Sequence, residues 1–304
     1  MKPLGKILRT VQAIGRELAG KPETPDHSAP VIGVALGGGF ARGIAHIGVL
    51  RVLAEAKIPV HIVSGTSVGA LIGATYCSGL SVDELFEVAS RVRFTTFARW
   101  TISRHGFATN DRMTSFLERT LKVKTFEELC IPLAIAATDF NTGEGVIFHS
   151  GSVVDPVRAS CAYPGMFLPV ELNGRYLVDG MLTHPVPTQP LREMGATRVL
   201  AVHLKGTWAK GGAPRHLFDV IGQSFAIAQD RMADTWRAAA DLVVEPAVAD
   251  FEYDDFKRAG DLVRAGEEAM RKALPDVRKW LETPAPLPLV ERRRSPRTVL
   301  VQAE

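Results

Sequence analysis

Apolar residues follow two rhythms along the chain. VIGVALGGG at 31–39 and HIVSG at 61–65 are short runs that end in glycine, whereas IAHIGVLRVLAEA and LIGATYCSG return to apolar residues at helical spacing. Unbroken apolar runs fit strands buried on both faces, and a three-to-four residue recurrence fits helices. Strand, glycine turn, helix, strand, turn, helix is the opening of an α/β domain, a parallel sheet covered by helices. Further strands are predicted at 132–138, 145–149, 167–171, 175–179, 198–204 and 241–245. Helices are predicted near 81–90, 110–120, 154–162, 186–195, 215–238 and 254–281, with no internal repeat and no second large domain.

The two ends differ from this middle. Leu4, Ile7, Leu8, Val11, Ile14 and Leu18 are spaced for an amphipathic helix over 3–18, followed by a polar linker at 20–30. Its apolar face suits docking on the parent domain, with contact to lipid as the other use. From 283 the sequence TPAPLPLVERRRSPR is rich in proline and then arginine, a composition that need not pack and predicts a mobile tail. The expected organisation is therefore 1–30 helix and linker, 31–282 main domain, and 283–304 tail.

With 304 residues, 46% hydrophobic and 23% charged, the chain can bury a full core, which excludes a disordered protein or a small disulfide scaffold. A formal charge of +3 is too slight for a nucleic-acid footprint, so no nucleic-acid partner is expected. Cys77, Cys130 and Cys161 are odd in number and far apart, which argues for a reducing compartment and against zinc. The N-terminal segment has no long apolar core, so neither a secretion signal nor a spanning helix is expected. These features point to a cytoplasmic protein, with peripheral contact at the inner membrane left open and oligomeric state undetermined.

Chemistry concentrates at strand ends. Gly65-Thr66-Ser67-Val68-Gly69 has the G-x-S-x-G form between an apolar strand and an apolar helix. Small neighbours let the backbone turn sharply and project the serine oxygen, and the helix N-terminus favours developing negative charge. Gly37, Gly38 and Gly39 end the first strand and offer amides for an oxyanion hole. A phosphate loop is the competing use, but GGGFARG lacks the Lys-Ser/Thr ending of a P-loop. Of eight histidines, His184 alone has a loop position suited to reach such a serine, and none follows His216, which weakens a Ser-His-Asp triad. Asp179-Gly180 ends the strand RYLVD, where a desolvated carboxylate could act as the base instead.

These stretches together resemble the patatin-like phospholipase family, particularly its short bacterial members. The resemblance runs over roughly 31–205: Gly37 to Gly43, Gly65 to Gly69, Asp179-Gly180, and two weaker stretches, AATDFNTGEGVIF at 136–148 and VRASCAYPGMFLPV at 157–170. It implies a three-layer α/β/α fold with a mainly parallel sheet, and a serine hydrolase of lipid acyl esters with Ser67 as nucleophile and Asp179 as base. It implies no metal and no cofactor. The same acyl-serine would also serve an acyltransferase, and a catalytically weak lipid-binding regulator is a further alternative.

Two positions depart from the family pattern. Counted back from Arg42, the third glycine of G-G-G-x-R-G is Phe40, and the Asp-Gly motif continues with Met181 rather than glycine or alanine. Both residues then become candidates for contact with substrate. Arg42 is read as a brace for the oxyanion loop, His46 as a packed ring, Cys161 as a small buried hydrophobe, and Asp139 as closing its own loop. In RVRFTTFARWTISRHGF at 91–107, Phe94, Phe97 and Trp100 alternate with arginines. That interleaving suits an interfacial lid touching substrate, and equally an internal helix cap with arginines at the surface.

Overall fold

A computed structural model describes residues 29–101, 107–206, 213–214, 217–282 and 298–303. The helix expected at 3–18 and nearly all of the linker lie outside them. Strand β1 (Ile32–Leu36) is buried throughout and leads through the glycine loop and a 3-10 turn (Phe40–Ile44) into α1 (Ala45–Glu55). Strand β2 (Ile62–Thr66) lies parallel to β1 and passes through Ser67 directly into α2 (Val68–Cys77). Helix α3 (Val82–Arg91) starts at a capping box: Ser81 Oγ accepts the Glu84 amide at 3.2 Å, and Glu84 Oε2 accepts the Ser81 amide at 2.7 Å.

The aromatic and basic stretch forms α4 (Phe94–Phe97), β3 (Arg99–Trp100) and, beyond residues 102–106, which are not described, β4 (Ala108–Thr109). Then come α5 (Asp111–Thr120), β5 (Leu133–Asp139), β6 (Gly145–Gly151), α6 (Val154–Ser160), β7 (Val170–Leu172) and β8 (Arg175–Asp179). The domain continues through α7 (Thr188–Glu193), β9 (Arg198–Val202), α8 (Leu217–Arg237), β10 (Leu242–Val244) and α9 (Ala259–Glu282). Strand β11 (Thr298–Ala303) follows.

The sheet runs β10-β9-β1-β2-β5-β6-β11. Every neighbouring pair in that order is parallel except β5 with β6. Residues of β1 alternate between two cores: Ile32, Val34 and Leu36 join α1, α2 and α9 on one face, while Ala35 joins Val186, Leu191 and Trp236 on the other. Both faces are thus covered, which is why the strands read as unbroken apolar runs.

Strand β5 sets the site. Its first half pairs with β2 in parallel, ending with Thr66 opposite Ala136, and its second half pairs with β8 antiparallel, with Asp179 opposite Ala137. Strands β2 and β8 therefore meet end to end along one edge of β5. The residue after Thr66 is Ser67, so the register alone brings Ser67 and Asp179 together.

One expectation is corrected. Part of the region expected as a mobile tail, Thr298–Ala303, is a strand parallel to β6. TVLVQA is rich in β-branched residues, and the open edge of β6 offers it backbone partners.

Candidate active site

Ser67 occupies φ 56° and ψ −124°, a backbone conformation that favours glycine, at the N-terminus of α2. Such strain is kept only where the surroundings enforce it. Gly65 and Gly69 permit the tight turn: a Cβ on Gly65 would stand 2.5 Å from the Gly69 carbonyl oxygen, and one on Gly69 would stand 2.1 Å from that of Leu36. The Ser67 amide donates to Ser160 Oγ at 2.8 Å, and that hydroxyl donates to the Ala136 carbonyl at 2.6 Å. Ser160 thereby ties the Ser67 peptide to β5. Only the weak family-like stretch at 157–170 hinted at it in the sequence.

Asp179 is fully buried. Its Oδ1 accepts the Met181 amide at 3.0 Å, while among the described residues Oδ2 has no partner at hydrogen-bond length. Burial pushes its carboxyl up to about 7, and the nearby Ser67 hydroxyl and the Met181 amide pull in the other direction. A carboxyl group poised there exchanges protons readily near neutral pH. Cys161 is buried beside the pair; burial and the Asp179 charge hold its thiol well above the usual range, so it stays a small neutral group. Gly180 lets the chain turn after Asp179, where a Cβ would stand 2.2 Å from the Ala136 carbonyl oxygen.

Of the three loop glycines, Gly38 and Gly39 line the cavity with Ser67 and Asp179 and Gly37 does not. Gly37 is buried, and its amide is committed to the Val202 carbonyl at 3.0 Å as an extension of the sheet, which removes it from the expected oxyanion donors. Gly38 N–H donates to the Pro185 carbonyl at 3.2 Å, a long bond that an oxyanion can outcompete. His46 Nε2 lies 2.8 Å from the Gly37 carbonyl, and burial lowers the imidazole to about 4, so a neutral ring donates its proton and holds the loop. His46 is thus a packed residue whose ring is satisfied at Nε2.

Arg42 is buried and lines the cavity, and its Nε donates to the Phe251 carbonyl at 3.0 Å. It anchors the turn behind the loop to the 246–256 segment. Phe40, at φ 52°, lines the cavity and sits edge-on to Tyr163 with ring centroids 4.7 Å apart. Met181 also lines the cavity. Phe94, Phe97 and Trp100 do not: Phe97 is buried against Phe116 at 5.0 Å and Phe94 lies on Phe167 at 5.9 Å, while Trp100 is exposed. The stretch is thus part internal cap and part exposed aromatic surface. Asp139 closes its own loop by accepting the Asn141 and Thr142 amides, and it pairs with Arg175 at 3.2 Å.

His184, the one histidine whose loop position could have reached the serine, is packed over Gly145 with its Nδ1 3.1 Å from Thr183 Oγ1 and does not line the cavity. His203 lines the cavity instead, with Nδ1 3.0 Å from Glu245 Oε1. Helix α8 closes one side through Gln223, Ala226, Gln229 and Asp230. Among the described residues, no group of His, Cys, Asp and Glu converges to hold a metal ion, and no helix is long and apolar enough to cross a membrane.

Ser160→Ala is expected to strand the Ser67 amide and the Ala136 carbonyl, lowering stability by about 2 kcal/mol in urea unfolding. Turnover should fall about tenfold or more as the elbow relaxes. Unchanged turnover would remove Ser160 from the positioning of Ser67.

A family model described as patatin-like phospholipase matches residues 34–192. An uncharacterised NTE family protein of Mycobacterium bovis is 34% identical over 185 residues, covering 60% of this chain and 51% of that protein. The chain thus spans about half the length of the mycobacterial relative. Lysophospholipase NTE1 of Yarrowia lipolytica is 24% identical over 289 residues, covering 85% of this chain and 20% of that protein. Among solved structures, VipD from Legionella pneumophila superimposes with a TM-score of 0.58 at 15% identity, covering 82% of this chain and 67% of that one. This last likeness is one of fold.

Proposed function

The chain belongs to the patatin-like phospholipase family, and from that premise we propose that it is a serine hydrolase cleaving carboxylic esters of lipids, of phospholipase A or lysophospholipase type, through Ser67 and Asp179. The observation that carries this reading is the end-to-end meeting of β2 and β8 on β5, which sets a strained serine beside a buried carboxyl at the mouth of one cavity. The relatives named as lysophospholipases agree with a lipid ester as substrate.

In the first half-reaction Asp179 takes the Ser67 Oγ proton as Oγ bonds to the ester carbonyl carbon. The Gly38–Gly39 loop and the α2 N-terminus stabilise the oxyanion. The carbon–oxygen bond to the alcohol then breaks, Asp179 returns the proton to the departing oxygen, and the acyl group remains on Ser67. Water repeats the sequence: Asp179 takes its proton, hydroxide attacks the acyl carbonyl, and the fatty acid leaves as Ser67 Oγ regains a proton. Phe40 and Met181 supply apolar cavity wall for the acyl chain.

The test is a fluorophosphonate probe with peptide mapping, run beside hydrolysis of short p-nitrophenyl esters. A single adduct on Ser67 with ester turnover is expected, and labelling elsewhere or none on folded protein would overturn the assignment. Because the base must be ionised, kcat/KM should rise about tenfold per pH unit below about 7 and level above it. A profile flat down to pH about 5 would exclude Asp179 as the titrating base.

A further inference from the structure

Helix α8 presents three faces. Gln223, Ala226, Gln229 and Asp230 face the cavity. Phe218 and Phe225 pack inward, edge-on to Phe107 at 5.7 Å and to Tyr163 at 5.6 Å, and Ile221 lies over Gly165. The third face is exposed and mainly apolar: Leu217 is 55% exposed, Val220 46% and Ile227 54%, and exposed Ser224 among them turns its hydroxyl back to donate to the Val220 carbonyl at 2.8 Å. Their spacing places them on one stripe. Single exposed apolar residues are ordinary, but a stripe in register beside a cavity mouth is not.

The stripe does not stop at the helix. Phe107, in ring contact with Phe218, is 47% exposed, and Trp100, 62% exposed, pairs across the short hairpin with Ala108, the residue after Phe107. Further along α8 the outward positions become polar, with exposed Arg231, Asp234 and Thr235. Cations stand at the Trp100 end and at the cavity. Arg93 and Arg112, beside the Phe94–Ala98 turn that packs on Trp100, bond among the described residues to backbone carbonyls, and Lys205, which lines the cavity, has no ion pair with a described residue. An apolar stripe that turns polar along its length, edged with cations lacking carboxylate partners, matches the boundary of a lipid layer, where acyl chains lie beneath phosphates.

We propose that Leu217, Val220 and Ile227 of α8, with Phe107 and Trp100, form the surface by which the protein docks on a lipid aggregate, setting the cavity mouth against the lipid. This docking surface rests on the lipid-esterase reading for its purpose, but not for its measurement. The full chain carrying Val220→Asp with Ile227→Asp is compared with wild type in co-sedimentation with vesicles of phosphatidylcholine and phosphatidylglycerol. Turnover of p-nitrophenyl butyrate in solution and size-exclusion elution are read in parallel. Vesicle partitioning should drop at least about tenfold, with soluble-ester turnover held within about twofold because neither side chain lines the cavity. Trp100→Ala, on the β3 strand beside Phe94, should weaken partitioning severalfold on its own.

Unchanged partitioning in both variants would overturn the docking surface. So would a wild-type dimer that the double substitution splits into monomers, since the stripe would then bind a second copy of the chain. A protein that partitions through this stripe yet labels on no serine and turns over no ester would sink the esterase reading and leave the docking surface standing.

Discussion

Asp179→Asn is expected to cut ester turnover by about three orders of magnitude and, in the same protein, to raise stability above neutral pH. The loss follows from removing the group that in the proposed cycle takes and returns every proton; a positioned general base contributes about 10²–10⁴-fold, and the other described carboxylate that lines the cavity, Asp230, belongs to α8. The gain follows from burial. The carboxyl titrates near 7 in the fold against an ordinary value of 3.8, so folding favours its protonated form. Stability from this group is complete below about pH 4, falls as pH rises from about 4 to about 7, and is level above. Asparagine keeps the acceptor for the Met181 amide and carries no charge. Urea unfolding should therefore show the variant about 2–4 kcal/mol more stable than wild type above pH 7, with the difference closing near pH 4. A variant no more stable at any pH would mean that the carboxylate is not desolvated.

Both effects have one origin. Strand β8 ends inside the molecule because it abuts β2, and the carboxylate that chemistry requires sits where packing alone would place an apolar residue. The strained Ser67 is the same bargain at the end of the facing strand. Activity and stability should move in opposite directions at these two residues, while at Ser160, which serves only to hold the elbow, they should fall together.

What the sequence makes legible divides along physical lines. The β1–loop–α1 and β2–Ser67–α2 units are readable because each is continuous in sequence: an apolar run, small residues where backbones touch, then helical spacing. Asp179 is readable as a strand-end acid and its pairing with Ser67 through the family resemblance, whereas the register that makes them meet is not readable, because it depends on β2 and β8 sharing β5 from opposite directions. The histidines fail for the same reason. His184 has a plausible loop position yet packs over Gly145, while His203 reaches the cavity because β9 lies beside β1 in the sheet. The role of Gly37 turns on one bond, to Val202, that only the register reveals. Helix α8 is legible as a helix over nearly its full length, but its apolar residues serve two faces, inward and outward, which blurs the periodicity that would have marked one of them as free. The strand at Thr298–Ala303 is masked by its proline- and arginine-rich approach, although TVLVQA itself has strand composition.

Ser67→Ala and Ser67→Gly should both abolish turnover and fluorophosphonate labelling, with a loss on the order of 10⁴-fold or more, yet separate in stability. Either substitution removes the only atom that can carry the acyl group, so the residual rate reflects what the oxyanion loop and bound water achieve without a nucleophile. The backbone distinguishes them. At φ 56° and ψ −124° an alanine Cβ meets the same steric penalty as serine, about 1–3 kcal/mol, whereas glycine meets none. Glycine gives back roughly 0.4–1 kcal/mol through the greater freedom of its unfolded chain. The glycine variant should therefore unfold at higher urea, by about 1 kcal/mol, than the alanine variant, and both should keep the fold because Gly65, Gly69 and the Ser160 bridge continue to shape the turn. Equal stabilities would limit the strain at Ser67 to roughly 0.4–1 kcal/mol, the amount that the freedom of glycine in the unfolded chain cancels. A glycine variant less stable than alanine would mean that the serine backbone lies in an ordinary conformation and that the turn is set by Gly65 and Gly69 alone.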